Sequence, residues 1–280
     1  MNSHIKKMPY YLSPIELRKL HHVLVEMLEE VDRVCKKNNI KYNISAGTLL
    51  GAIRHKGFIP WDDEMDITMT RNEYIRFRDV CKYDLDKERF FFQDHTTDVH
   101  YPWGYGRIRY KNTEFVRVGQ EHLKMKTGIF MDIVPLDAVP DNKLMRGLHC
   151  FYCFVLRKFL YAESGMINGK NVLQRGIYRF MNLVPRKVTF YLLDRLAMRS
   201  KNDKSKYVRI LTYPLPKRKV YGMNRIWFEE VENLEFENRM FPGTKDWEGF
   251  LSYFYGDDFM QLPPIEKRRW HPAVKFRLPY

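Results

Sequence analysis

The sequence predicts a mixed α/β fold, α+β in class, with helices flanking one sheet, and three observations carry that prediction. A capped amphipathic helix opens the chain, a strand, small-residue turn and helix follow it, and a series of short aromatic and β-branched segments comes next. With 280 residues, 45% hydrophobic and 15% aromatic, the chain can bury one sizeable core and is too apolar to remain disordered.

Ser13-Pro14-Ile15-Glu16 is a capping box with proline at the first helical position, and Leu17, Leu20, Leu24, Leu28, Val31 and Cys35 follow at helical spacing. Asn38-Asn39 ends that helix. Residues 40–44 read as a short strand, and 48–55 as a short helix entered through Gly47. Residues 57–60 make a turn, 65–69 alternate as a strand, and Thr70-Arg71-Asn72-Glu73 is a second capping box, opening a helix to about Tyr83. Further strands are expected at 90–93, 106–111, 114–118 and 129–134. The stretch beyond reads as helices, one of them starting at Pro185 and running toward Ser200. The chain divides accordingly into a first helix plus core (1–141), a basic, aromatic-rich helical insertion (142–225) and a segment that packs back on the core (226–280).

Lys and Arg number 48 against 34 Asp and Glu, and this +14 balance admits nucleic acid, an anionic membrane or phosphorylated substrates. Position says more than total. Residues 142–225 hold 19 Lys or Arg against Glu163, Asp194 and Asp203, a net of +16, so the remainder is at −2. Cations interleaved with Phe151, Phe154, Phe159, Tyr178, Phe180 and Tyr191 suit an amphipathic surface on anionic lipid, or an ordinary helical subdomain with a solvated basic face; RNA is the weaker alternative. Cys35, Cys81, Cys150 and Cys153 form no paired zinc-ligand pattern and read as free thiols in a reducing cytoplasm. No signal-peptide stretch follows the N-terminus, and the longest apolar run, 148–161, is broken by Arg157 and Lys158, so a cytoplasmic protein, peripheral at most to the inner face of the membrane, is expected.

The chemistry concentrates in 45–67. Gly47 and Thr48 at a helix start suit a phosphate cradle, because a glycine lets backbone amides approach phosphate oxygens and the helix dipole favours the anion. Glu64 and Asp66, two apart on a strand, present both carboxylates to one face while Met65 turns into the core, as a hard cation such as Mg²⁺ requires. The same residues, Asp62-Asp63-Glu64, could equally form a solvated turn. Asp132 shifts the balance, since it interrupts an apolar strand where a charge is costly unless paired or metal-bound. Arg54 reads as a phosphate partner or a surface cation, His55 as a phosphate donor or a structural hydrogen-bonding group, and Trp61 as a stacking surface or a core aromatic. The cluster Tyr101, Trp103 and Tyr105 shares that last ambiguity. Asp62 and Asp63 suit outer contacts to the metal site, one of them being simply solvated.

These blocks resemble the LicD family of phosphotransferases, related to fukutin-type enzymes within the nucleotidyltransferase superfamily. The resemblance is carried by 39–42, 47–55, Trp61 through Asp66, Lys111-Asn112-Thr113, Met131 through Asp137, Tyr255-Gly256-Asp257, Leu262-Pro263-Pro264 and His271. It implies a nucleotidyltransferase-like sheet, a CDP-activated donor and a Mg²⁺ or Mn²⁺ ion on Glu64, Asp66 and Asp132, with Asp132 also serving the acceptor hydroxyl. It further implies transfer of phosphocholine from CDP-choline, or of an alditol phosphate such as ribitol phosphate, to a cell-envelope glycan, with CMP released. That glycan would be a lipopolysaccharide, teichoic acid or capsule, in some cases lipid-linked. Asn112 and His271 enter the site on the family pattern alone. Three positions depart from that pattern: Ala46 replaces the first glycine of a pair, Glu64 replaces an aspartate, and Tyr110 stands where an acid is common. A nucleotidyltransferase for nucleic acid or a small molecule, and a catalytically silent glycan or membrane adaptor, are the competing classes. The carboxylates argue against the adaptor, and no RNA-reading module accompanies the core.

Overall fold

The computed structural model describes residues 9–199, 204–214, 222–268 and 271–280. Ser200, the expected end of the helix begun at Pro185, lies outside them, as do residues 1–8, on which the reading of the N-terminus partly rests.

Helix α1 (Pro14–Lys37) forms where its cap predicts: the Glu16 amide donates to Ser13 Oγ at 3.2 Å, and the Ser13 amide donates to the Glu16 carboxylate at 2.8 Å. Its inner stripe of Leu20, Leu24, Met27, Leu28 and Val31 is wholly buried on α3 (Arg71–Asp84) and β6 (Phe130–Val139), each side chain stabilising by about 1.5–3 kcal/mol. Between α1 and α3 come β1 (Asn43–Ile44), α2 (Ala46–His55) and β2 (Asp66–Thr70); β1 is shorter than the 40–44 strand expected. Helix α3 is capped by Thr70 as expected, but Glu73 does not complete the box. Its carboxylate accepts instead from the Lys41 amide and Arg76, tying α3 to the end of α1.

Strands β3 (Phe90–Gln93), β4 (Gly106–Tyr110) and β5 (Glu114–Arg117) precede β6, which runs well past the expected 129–134. The main sheet has the order β1-β2-β6-β4-β3, with β2 parallel to β6 and the other neighbours antiparallel. The excess length of β6 has a reason. Its last residues, Asp137 to Val139, pair with β7 (Tyr207–Arg209), which pairs in turn with β8 (Met223–Asn224).

Helices α4 (Lys143–Leu160), α5 (Ala162–Asn168), α6 (Val172–Met181) and α7 (Arg186–Arg199) lie between β6 and β7, with a small core of their own around Cys153, Leu156, Leu160, Phe190 and Leu193. Helix α8 (Ile226–Glu229), the hairpin β9 (Val231–Phe236) and β10 (Arg239–Thr244), and α9 (Trp247–Tyr255) cover β1 and α2. Strand β11 (Ala273–Arg277) pairs with β5. All four cysteines are free, three of them buried.

One local conflict stands out at the start of α2, where Ala46 takes a left-handed φ of 48°. A Cβ is strained there and glycine is not. Ala46→Gly is therefore expected to stabilise the protein by about 1 kcal/mol, raising the thermal midpoint by roughly 2 °C. A lower midpoint in calorimetry would refute it.

Candidate active site

The parallel pairing of β2 with β6 sets Asp66 opposite Asp132, and the antiparallel pairing of β6 with β4 sets Arg107 opposite Asp132. Side chains of registered partners share a face, so three neighbouring strands present Asp66, Asp132 and Arg107 in a row. Met65 is buried on the opposite side, as its place between Glu64 and Asp66 predicts. The row is held from behind by α2: the Asp66 amide donates to Thr48 Oγ1 at 2.9 Å, and the Ser45 amide donates to the Asp66 carbonyl at 3.1 Å.

Each carboxylate meets a different environment. Arg107 Nε donates to Asp132 at 2.5 Å, both groups nearly inaccessible, and Arg107 Nη2 donates to the Tyr105 hydroxyl at 3.3 Å. Burial alone would weaken the guanidinium's hold on its proton, but Asp132, with the Tyr101 and Tyr105 hydroxyls, more than reverses it, so Arg107 stays charged. Burial likewise opposes ionisation of Glu64, and its ion pair with Arg117, aided by His271 and Arg107, outweighs it and holds the carboxyl below its ordinary range. Asp66 has no such partner. It makes no ion pair among the described residues, and burial, then Glu64, Asp132 and Asp62, push its pKa well above the ordinary carboxylate value.

Asp63 is buried and paired with Arg117 at 3.3 Å and with His271 Nδ1 at 3.0 Å, while burial, Glu64 and Asp63 raise Asp62 to about 7. Neither is simply solvated, contrary to the expectation for one of them. The region around 62–66 is a turn into a buried strand, and exposure is lost because β5 and β11 bring Arg117 and His271 over it.

The phosphate-cradle residues are present but engaged. A Cβ on Gly47 would stand 2.7 Å from Asp62 Oδ2, so the Asp62 carboxylate occupies the space that glycine leaves there, and Thr48 Oγ1 is already an acceptor for Asp66. Arg54 donates to the carbonyls of Phe259 and Gln261 at 2.8 and 3.2 Å, and from Nε to His55 at 3.0 Å, clamping the C-terminal segment. The Arg268 guanidinium lies 4.7 Å from the Trp61 ring centroid, with His55 at the ring's edge. Asn112 sits elsewhere: its φ of 57° makes the turn between β4 and β5, about 17 Å of strand from Arg107, and its carbonyl accepts from Arg277. His271, by contrast, reaches the site through Asp63.

Do these residues suit a divalent cation? Among the described residues no three His, Cys, Asp or Glu side chains stand close enough to hold one, because the carboxylates of Glu64 and Asp132 are turned onto arginines. The expected trio is therefore gathered on one face without forming a closed ligand set. The donor chemistry does fit, since Asp66 is a half-buried carboxylate crowded by acids and lacking a counter-cation among the described residues, which a hard ion would supply.

The profile of the LicD/FKTN/FKRP nucleotidyltransferase domain matches residues 39–153, which span β1 through the first part of α4 and so include the whole row. Over these residues the chain is similar to that domain. It is 28% identical over 275 residues to the lipopolysaccharide cholinephosphotransferase LicD of Haemophilus influenzae, covering 93% of this chain and 97% of that one. Two uncharacterized proteins, of Rickettsia typhi and Rickettsia prowazekii, are 44% and 42% identical over 57 residues, 20% of this chain.

Several residues of the candidate site escaped the sequence reading. Arg107, Arg109 and Arg117 ring the face of Phe130 at 3.8, 4.9 and 4.8 Å, and all three are buried. The signal existed: a cation within an apolar strand is as anomalous as Asp132. Tyr255 was placed in a family block but given no role; desolvation of its hydroxyl and then the charges of Asp66 and Asp62 raise its pKa.

Proposed function

We propose that this protein transfers phosphocholine from CDP-choline to a hydroxyl group of a cell-envelope glycan, releasing CMP. The observation that carries the reading is the in-register row Asp66, Asp132, Arg107, in which one carboxylate lacks a cation among the described residues and its neighbour is oriented by one. The relationship to a lipopolysaccharide cholinephosphotransferase along nearly its full length supports the choice of group and acceptor.

In the reaction the acceptor oxygen attacks the phosphorus that bears choline, the anhydride bond to the other phosphorus breaks, and CMP leaves with the bridging oxygen. Asp132, fixed by Arg107, orients the hydroxyl and takes its proton. Arg107 Nη1 and Arg117 Nε have no hydrogen-bond acceptor among the described residues and would serve phosphate oxygens. A Mg²⁺ or Mn²⁺ ion, held by Asp66 with Glu64 and Asp132, would neutralise charge developing on the diphosphate. Donor phosphate at the start of α2 displaces the Asp62 carboxylate from above Gly47. A mass-spectrometric comparison of CDP-choline and CDP-ribitol tests this: metal-dependent CMP release from CDP-choline, increased by lipopolysaccharide, is expected. Release from CDP-ribitol instead reassigns the donor, and release from neither overturns the reading.

The same proposal places the protein on an anionic membrane. More than half of the exposed large hydrophobic side chains among the described residues fall within 144–198, including Leu148, Phe151, Leu173, Ile177 and Phe180, interspersed with the cations of the +16 segment. No helix among the described residues is long and apolar enough to cross a membrane. Sedimentation with vesicles is expected to show binding that needs anionic lipid and weakens with salt; absence of binding at 0.1 M salt would sink the membrane placement.

A further inference from the structure

Beyond β4, on the side of Asp132 away from α2, lies a cavity of about 460 Å³ between the sheet and helices α4 to α6. Its walls carry the aromatic faces of Trp103, Tyr105, Tyr178 and Tyr213. Arg157 and Lys158 line it too, Lys158 donating to the Tyr178 hydroxyl at 3.2 Å, and neither cation has a carboxylate partner among the described residues. Among the described residues no acidic side chain lines it. Two polar atoms of its lining residues, Trp103 Nε1 and Thr212 Oγ1, find no hydrogen-bond partner among the described residues.

We propose that this cavity binds the acceptor as a sugar bearing an anionic substituent, phosphate or carboxylate, next to the hydroxyl that is modified. Aromatic faces take the apolar face of a pyranose ring, and Arg157 and Lys158 take the anion. The unmet hydrogen-bonding groups suit hydroxyls, since buried polar atoms left unpaired are costly until a ligand satisfies them. A quaternary ammonium would also favour aromatic faces, but two unpaired cations repel it, which separates this cavity from a choline site. The cavity also communicates with the chemistry. Tyr105 packs edge-on against Tyr213 with centroids 5.3 Å apart, and its hydroxyl accepts from Arg107, which holds Asp132. A sugar seated there lies beside the proposed base, with α2 and the donor on the other side. The word acceptor rests on the transferase reading; the specificity for an anionic sugar does not.

Saturation-transfer NMR on the full chain tests it with glucose 6-phosphate, glucuronate and glucose as probes. Both anionic sugars are expected to bind on the order of tenfold more tightly than glucose, the pair distinguishing phosphate from carboxylate, and the preference is expected to vanish in Arg157→Gln/Lys158→Gln. Arg157→Lys/Lys158→Arg, which keeps both charges, is expected to retain it. Equal binding of glucose, an unchanged preference in the Gln variant, or displacement by choline or CMP would overturn the proposal. A protein that releases no CMP from either donor, yet binds glucose 6-phosphate through Arg157 and Lys158, would refute the transferase reading and leave the anionic-sugar site standing. In the active enzyme the Gln variant is further expected to raise KM for lipopolysaccharide about tenfold while KM for CDP-choline holds.

Discussion

Asp66→Asn is expected to lower metal-dependent CMP release by about a thousandfold or more, while raising the thermal midpoint of the metal-free protein by a few degrees. The two effects share one cause. Asp66 is half-buried and crowded by Glu64, Asp132 and Asp62 with no ion pair among the described residues, so its charge is unfavourable in the fold until a cation arrives. Because its pKa is raised on folding, the group costs stability at every pH above the ordinary carboxylate range, and an amide removes that cost. Millimolar Mg²⁺ is accordingly expected to raise the wild-type midpoint and leave Asp66→Asn unmoved, a readout independent of turnover. If the variant melts lower than wild type and still responds to Mg²⁺, Asp66 is not the open carboxylate. Asp132→Asn should also lose activity, but with a lower midpoint, because it strands Arg107 in the interior.

The largest loss of stability is expected from the other aspartate of the same strand. Asp137 is wholly buried, and both its oxygens accept from Arg71, at 2.7 and 2.6 Å, in a paired geometry that ties the start of α3 to β6. Asp137→Ala leaves the Arg71 guanidinium buried without its partner, a loss of about 3–5 kcal/mol and roughly 10 °C in midpoint. Arg71→Met/Asp137→Leu, which removes both charges and keeps volume, is expected to recover most of it. A single variant that melts within a degree of wild type would show that the pair is dispensable. Asp132 and Asp137 thus stand five residues apart on one strand with different partners, one in the row with Asp66 and Arg107 and one paired with Arg71.

Much of this was legible in the chain itself. Ser13 and Glu16 fix the start of α1 because capping is a contact between residues three apart, and Gly47 through Asp66 reads as a candidate site because helix start and strand alternation are local geometries. The membership of Asp132 was legible for a different reason, that an isolated charge in an apolar strand demands a partner whatever the fold. Nothing local says which partner. That Arg107 takes Asp132 and Arg117 takes Glu64, leaving Asp66 alone, depends on the registers of β2, β4 and β6 and on β5 reaching the turn at 63, contacts between residues up to 66 positions apart. The same long-range packing turned Arg54 from a free phosphate partner into a clamp on Phe259 and Gln261, moved Asn112 to a distant turn and gave His271 to Asp63. The sequence by itself determined the fold class and the acids of the face, since these rest on local periodicity and on residue types that water-free interiors tolerate only in pairs. Only the tertiary structure decided how the charges pair, because pairing energy depends on a few ångströms between segments that the chain order keeps apart.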